Sequence, residues 1–210
     1  MHLPQGTHNQ APSKRNNTKK DSWTSPPKHT FKPNFDGASK GNLGKAGFDG
    51  IFRNHEGSPL LIYFGNIGWD TNNSTKLEGF WQGLLLSWKH NFHPLEIEGD
   101  SLILINMAKQ LLNETHARKI ANSSRLEARL EAIEHSLHNN RAIIFNHVKR
   151  EGNKVTDLLA NLGVESEHTL ITGTLDIIPN HDHEQECKLL VQKDAALQDA
   201  SAQPSDAVGN

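Results

Sequence analysis

The sequence predicts an α/β fold, a five-stranded mixed sheet with helices on both faces. Three observations lead there. Residues 31 to 66 hold three apolar, β-rich runs separated only by turn residues. A 3.6-residue apolar period then begins, and later strand-like runs are reached only through helical segments. Hairpin-connected strands pair antiparallel, whereas strands joined through helices can lie parallel, so the order β-β-β-α-β-α-α-β-α implies a mixed sheet.

Each element has its own warrant. Phe31 to Asp36, Gly44 to Phe52 and Pro59 to Asn66 are the first three strands, punctuated by Asn54-His55-Glu56-Gly57-Ser58. Leu77, Trp81, Leu84, Leu85 and Trp88 recur at helical spacing and mark an amphipathic helix over about 73–90, with the tryptophans as core candidates. Pro94 to Glu98 alternates apolar and acidic residues like a half-buried strand, and Gly99-Asp100-Ser101 opens a helix through Leu112. Leu126, Leu130, Ile133 and Leu137 predict a third helix. Ala142 to Val148 reads as the last strand and Asn153 to Leu162 as the last helix, ended by Gly163.

The flanks read differently. Residues 1–29 are rich in Pro, Asn, Ser, Thr and Lys and predict a disordered basic segment, whose Lys14, Arg15, Lys19, Lys20 and Lys28 form either a solvated linker or a salt-sensitive phosphate contact. Residues 30–165 form the folded domain. Residues 166–210 read as a polar, disordered tail with at most a weak helix near 188–197. In that tail His181, His183 and Cys187 are suitable metal donors, but their spacing matches no closed four-ligand site.

Composition sets limits. With 210 residues, 35% of them hydrophobic, the chain suits one domain plus tails. A formal net charge of -2 removes any global electrostatic case for nucleic acid, so such binding needs a local basic surface. A single cysteine, no signal peptide and no long apolar run predict a soluble, intracellular protein without a membrane partner.

Three acidic motifs carry the chemistry: Phe35-Asp36-Gly37-Ala38-Ser39-Lys40-Gly41-Asn42, Glu98-Gly99-Asp100-Ser101 and Asn153-Lys154-Val155-Thr156-Asp157. Singly, Asp36 could shape a turn, Asp100 cap a helix and Asp157 favour a helix N-terminus. Jointly, and with Thr71-Asn72-Asn73 between the first two, they resemble the ribonuclease H domain, above all the plant retroelement-derived form found beside reverse transcriptases. The resemblance spans residues 31–165. It implies that Asp36, Asp100 and Asp157 are catalytic, meet at one sheet edge and hold two Mg²⁺ or Mn²⁺ ions about 4 Å apart. It further implies a monomeric hydrolase, an endonuclease that cuts the RNA strand of RNA-DNA hybrids, with a past reverse transcriptase fusion left open. Ser39, Lys40, Asn42, Asn72, Asn73, Lys149 and Arg150 are the expected contacts to such a hybrid or another nucleic acid.

The resemblance also exposes departures. Lys76 stands where the family has the glutamate that bridges both metals, so an ammonium replaces an anion and activity is expected to be impaired. Two residues further on, Glu78 is turned by about 200° and reads as a solvated or supporting acid rather than a replacement. Asp49 replaces a usually small residue and is expected to weaken strand packing. His147, at a strand end, reads as structural. The alternatives to an enzyme are a non-catalytic hybrid-binding module and a remnant used for protein contacts.

Overall fold

In the computed structural model, residues 22–113 and 142–202 are described. The strands are β1 (Lys32–Ser39), β2 (Gly44–Arg53), β3 (Pro59–Asp70), β4 (Leu95–Gly99), β5 (Ile143–His147) and β6 (Ile171–Gly173). The helices are α1 (Asn72–Lys89), α2 (Leu102–Asn113), α3 (Lys154–Glu165) and α4 (His181–Ala202). The third helix expected around Leu126–Leu137, and most of the basic N-terminal arm, lie outside the described residues.

The strands form one mixed sheet in the order β5-β4-β1-β2-β3-β6. β1, β2 and β3 are antiparallel neighbours, while β4 runs parallel to both β1 and β5. The expected mixed sheet is thus present, with β6 added beside β3. One face packs Phe35, Phe48 and Phe52 against Leu77, Phe80 and Leu84 of α1 and Ile105 and Ala108 of α2. The other packs Ile51, Ile62 and Phe64 against Val155 and Leu159 of α3 and Cys187 and Val191 of α4.

Two glycine contacts set how closely the helices approach. A Cβ on Gly37 would lie 2.4 Å from the Thr75 carbonyl carbon, and one on Gly79 would lie 2.4 Å from the Asp36 carbonyl oxygen. Backbone therefore meets backbone where α1 crosses β1. Gly163 plays the same part on the opposite face, 2.7 Å from the Phe48 carbonyl oxygen by the same measure. This corrects the reading of Gly163 as a helix terminator, because α3 continues through it to Glu165.

The flanks depart furthest from expectation. Trp23 is 0% exposed, donates from Nε1 to Asn34 Oδ1 at 2.9 Å and lies under the Arg53 guanidinium at 4.0 Å. Arg53 reaches Asp194 of α4 at 2.7 Å, and Gln198 Nε2 donates to the Trp23 carbonyl oxygen at 2.7 Å. So the stretch from residue 22 and residues 166–198 belong to the packed structure. They look polar because few apolar side chains, Trp23, Leu175, Ile178, Cys187 and Val191, supply the burial, joined by the Arg53–Asp194 ion pair and the Gln198 hydrogen bond. Trp23 is the fully buried tryptophan; Trp81 of α1 is partly buried against the core, as expected, whereas Trp88 is 45% exposed and departs from that expectation.

Candidate functional site

Parallel pairing places the acids. β1 and β4 align Asn34 with Glu98 and Phe35 with Gly99, so Asp36 comes next on β1 and Asp100 stands just past the end of β4. The α1 approach allowed by Gly37 and Gly79 carries Lys76 over both. Its Nζ lies 2.5 Å from Asp36 Oδ1 and 2.5 Å from Asp100 Oδ1. Arg150 Nε stands 3.5 Å from the other oxygen of Asp100. Asp157 is exposed in the first turn of α3. The start of that helix is tied to the site by Asn153, whose Nδ2 donates to the Phe35 carbonyl oxygen at 3.3 Å.

Electrostatics follow from this crowding. Burial raises the Asp36 carboxyl above its ordinary value, and Asp100 adds to the rise against the opposing pull of Lys76. For Lys76, burial alone lowers the ammonium, but the Asp36 and Asp100 carboxylates outweigh it and hold the group above its ordinary value. Lys76 is therefore charged throughout the neutral range.

Asp49 is the feature the sequence underrates. It pairs directly across from Asp36 in an unbroken β1–β2 register. Yet it is 0% exposed, and neither carboxylate oxygen has a hydrogen-bond partner among the described residues. Burial pushes its carboxyl well up, reinforced by the charge of Asp36.

An open cavity of about 590 Å³ lies beside the Lys76–Asp100 pair, lined also by Asn73, Ser101, Leu102, Ile103, His147, Lys149, Arg150 and Glu151. His147 is exposed, and its Nε2 sits 3.1 Å from the Asp100 carbonyl oxygen, which can only accept. Glu78 does not line this cavity. It is buried and accepts from Gln82 Nε2 at 2.7 Å, which corrects its reading as a solvated acid.

The remaining expected contacts separate into two groups, with Lys40 apart from both. Ser39, Asn42 and Asn72 are knitted together: Asn72 Oδ1 accepts the Ser39 N–H at 2.8 Å, and Asn42 Oδ1 accepts the Asn72 N–H at 3.3 Å. Asn42 adopts φ +53°, which suits Asn, and Gly41 before it φ +105°. Lys40 turns away to an exposed ion pair with Glu165. Asn73, Lys149 and Arg150 instead face the cavity. In the tail, Cys187 is buried with its thiol pushed up to about 12 by burial, and no metal-ligating cluster including His181 or His183 forms among the described residues. No helix among the described residues is long and apolar enough to cross a membrane.

The reverse transcriptase-like family profile matches residues 34–163. The chain belongs to that family. It is a ribonuclease H-like domain of the retroelement type. An Arabidopsis thaliana protein with a ribonuclease H name is 30% identical over 158 residues, 75% of this chain, and this chain spans 24% of that relative's length. Among solved structures, the ribonuclease H1 of Halobacterium salinarum superposes with a TM-score of 0.53 at 24% identity, over 65% of this chain and 98% of its own. LC11-RNase H1, solved with an RNA/DNA hybrid, gives 0.54 at 23%, over 65% and 97%. These likenesses establish the fold.

Ribonuclease H domains generally work with divalent metal ions. The residues present here do not fit a pair of them. A bridging position between Asp36 and Asp100 needs an anionic oxygen, and this chain puts an ammonium there within hydrogen-bond distance of both carboxylates.

Proposed function

We propose that this chain is a nucleic-acid-binding domain that engages RNA-DNA hybrids and whose own phosphodiester hydrolysis is impaired. Family membership and the LC11-RNase H1 hybrid complex support the ligand class. Support from the chain itself lies in the hydrogen-bonded Ser39–Asn42–Asn72 turn, whose side-chain amides suit a shallow groove lined with 2′-hydroxyls. Lys149 and Arg150 at the cavity supply the local positive charge that a net charge of -2 otherwise denies.

The observation that carries the reading is Lys76 lying between Asp36 and Asp100. Hydrolysis of a phosphodiester requires an activated water and relief of charge on the phosphate and the leaving oxygen. By the family resemblance Asp36, Asp100 and Asp157 would be the carboxylates for such chemistry, and a residual Mg²⁺- or Mn²⁺-dependent activity is the second reading. The test measures binding and cleavage of a labelled hybrid side by side. Retained affinity with cleavage far below that of Lys76→Glu supports the proposal; failure to bind any duplex at low salt removes it and favours a remnant used for protein contacts.

A further inference from the structure

Lys76 and Asp49 are both departures from the family pattern, and they depart in opposite charge directions at one place. Asp36, on β1, is flanked across the sheet by Asp49, and Asp100 stands just past the end of the parallel neighbour β4. The Lys76 ammonium reaches Asp36 and Asp100 from above, with all three side chains largely shielded from solvent at 12%, 8% and 7% exposure for Lys76, Asp36 and Asp100. Asp49 sits behind them, fully buried and without a hydrogen bond from any described residue. Among the charges that act on it, Asp36, Asp100, Asp157 and Lys76, only Lys76 is positive.

Asp36 and Asp100, each 2.5 Å from one ammonium, and Asp49 paired across from Asp36 repel one another unless a cation stands among them. A divalent ion is the usual solution, but it must be bound from solvent and displaced water must be replaced by oxygen donors. An ammonium covalently tethered to α1 needs neither. We infer that Lys76 is the site's built-in counter-cation, which takes over the charge-neutralising part of a divalent ion, and that Asp49 is tolerated at the centre of the sheet because that cation is always present. The inference rests on the ribonuclease H-type reading of these carboxylates but concerns the protein without nucleic acid. It makes folding and the shape of the site independent of Mg²⁺ and Mn²⁺.

The experiment uses the full chain, with Mn²⁺ binding followed by electron paramagnetic resonance and thermal melting in EDTA or millimolar Mg²⁺ at matched ionic strength. For the natural chain, no saturable Mn²⁺ binding and superimposable melts are expected. Lys76→Met should melt several degrees lower in EDTA, regain the loss in Mg²⁺, and bind Mn²⁺ in a way that Asp36→Asn abolishes. Introducing Asp49→Ala into Lys76→Met should recover part of the loss in EDTA, since one of the stranded carboxylates is gone. If Lys76→Met folds only when the divalent ion is present, that is the rescue in its strongest form; failure to fold with and without metal counts against the inference. Saturable, Asp36-dependent Mn²⁺ binding by the natural chain would overturn it, as would a Lys76→Met chain as stable as the natural one in EDTA.

Discussion

Replacing Asp49 by alanine should make the protein more stable at neutral pH, and the gain should depend on pH. A buried polar group left without its hydrogen bond costs about 1–3 kcal/mol, more when charged, and both oxygens of Asp49 are in that condition. Its carboxyl is raised well above the ordinary value by burial first and by Asp36 next. For an acid whose folded pKa is raised, the folded state holds the proton more tightly than the unfolded chain. Its contribution to stability is therefore fully present below the unfolded value of about 3.9 and is lost as pH climbs through the folded value. Against this, alanine leaves a small void, which offsets part of the gain. A net stabilisation of about 1–2 kcal/mol at pH 7 is expected, or roughly 2–8 °C in melting temperature for a chain of this size. The advantage should shrink steadily toward pH 4. Urea denaturation of both proteins between pH 4 and pH 8 reads this directly. An Asp49→Ala protein that is less stable at pH 7, or a difference that does not change with pH, would refute the account of Asp49 as a buried and unsatisfied carboxyl.

Other outcomes follow from the same contacts. Trp23→Ala should cost about 3–5 kcal/mol in chemical denaturation, because the indole is fully buried beneath Arg53 and donates to Asn34; a near-neutral effect would return the flanks to the status of tails. Gly79→Ala should cost about 1–3 kcal/mol, since its methyl group meets the Asp36 carbonyl oxygen and lifts α1, and with it Lys76, off β1. Alanine at Lys149 or Arg150 should weaken hybrid binding across sequences and reduce the salt slope of the logarithm of affinity by about one per residue, measured by fluorescence anisotropy over a salt series. An unchanged slope for both would place the phosphates elsewhere.

The sheet and α1 were legible because their signals were dense. Phe35, Phe48 and Phe52 lie in strands bounded by turn residues, and Leu77, Phe80 and Leu84 fall on one helical face. Asp36 and Asp100 were legible because their motifs fix them at a strand and a strand end, and counting from Thr71-Asn72-Asn73 was enough to single out Lys76. Long-range satisfaction could not be read in the same way. Nothing local to Trp23 announces Asn34, Arg53 or Gln198 as its partners, and α4 needs only sparse apolar contacts because Arg53 and Asp194 secure it. Gly163 looks like a terminator in sequence, and only the closeness of α3 to β2 reveals it as a packing glycine. Asp49 looked like a minor blemish in a strand; its meaning comes from lying across from Asp36, a register that no single-strand pattern shows.

The most direct measurement of the central claim is cleavage and binding of one labelled RNA-DNA hybrid by the natural chain, Lys76→Glu and Asp36→Asn, purified identically and supplied with Mg²⁺ or Mn²⁺. The Asp36→Asn protein reports any contaminating host ribonuclease H. The account predicts that the natural chain binds the hybrid in preference to duplex DNA, cleaves it scarcely above the Asp36→Asn control, and gains cleavage when Lys76 becomes glutamate. Robust cleavage by the natural chain that disappears in Asp36→Asn would contradict it, and would mean that the ammonium leaves Asp36 and Asp100 when substrate and metal arrive.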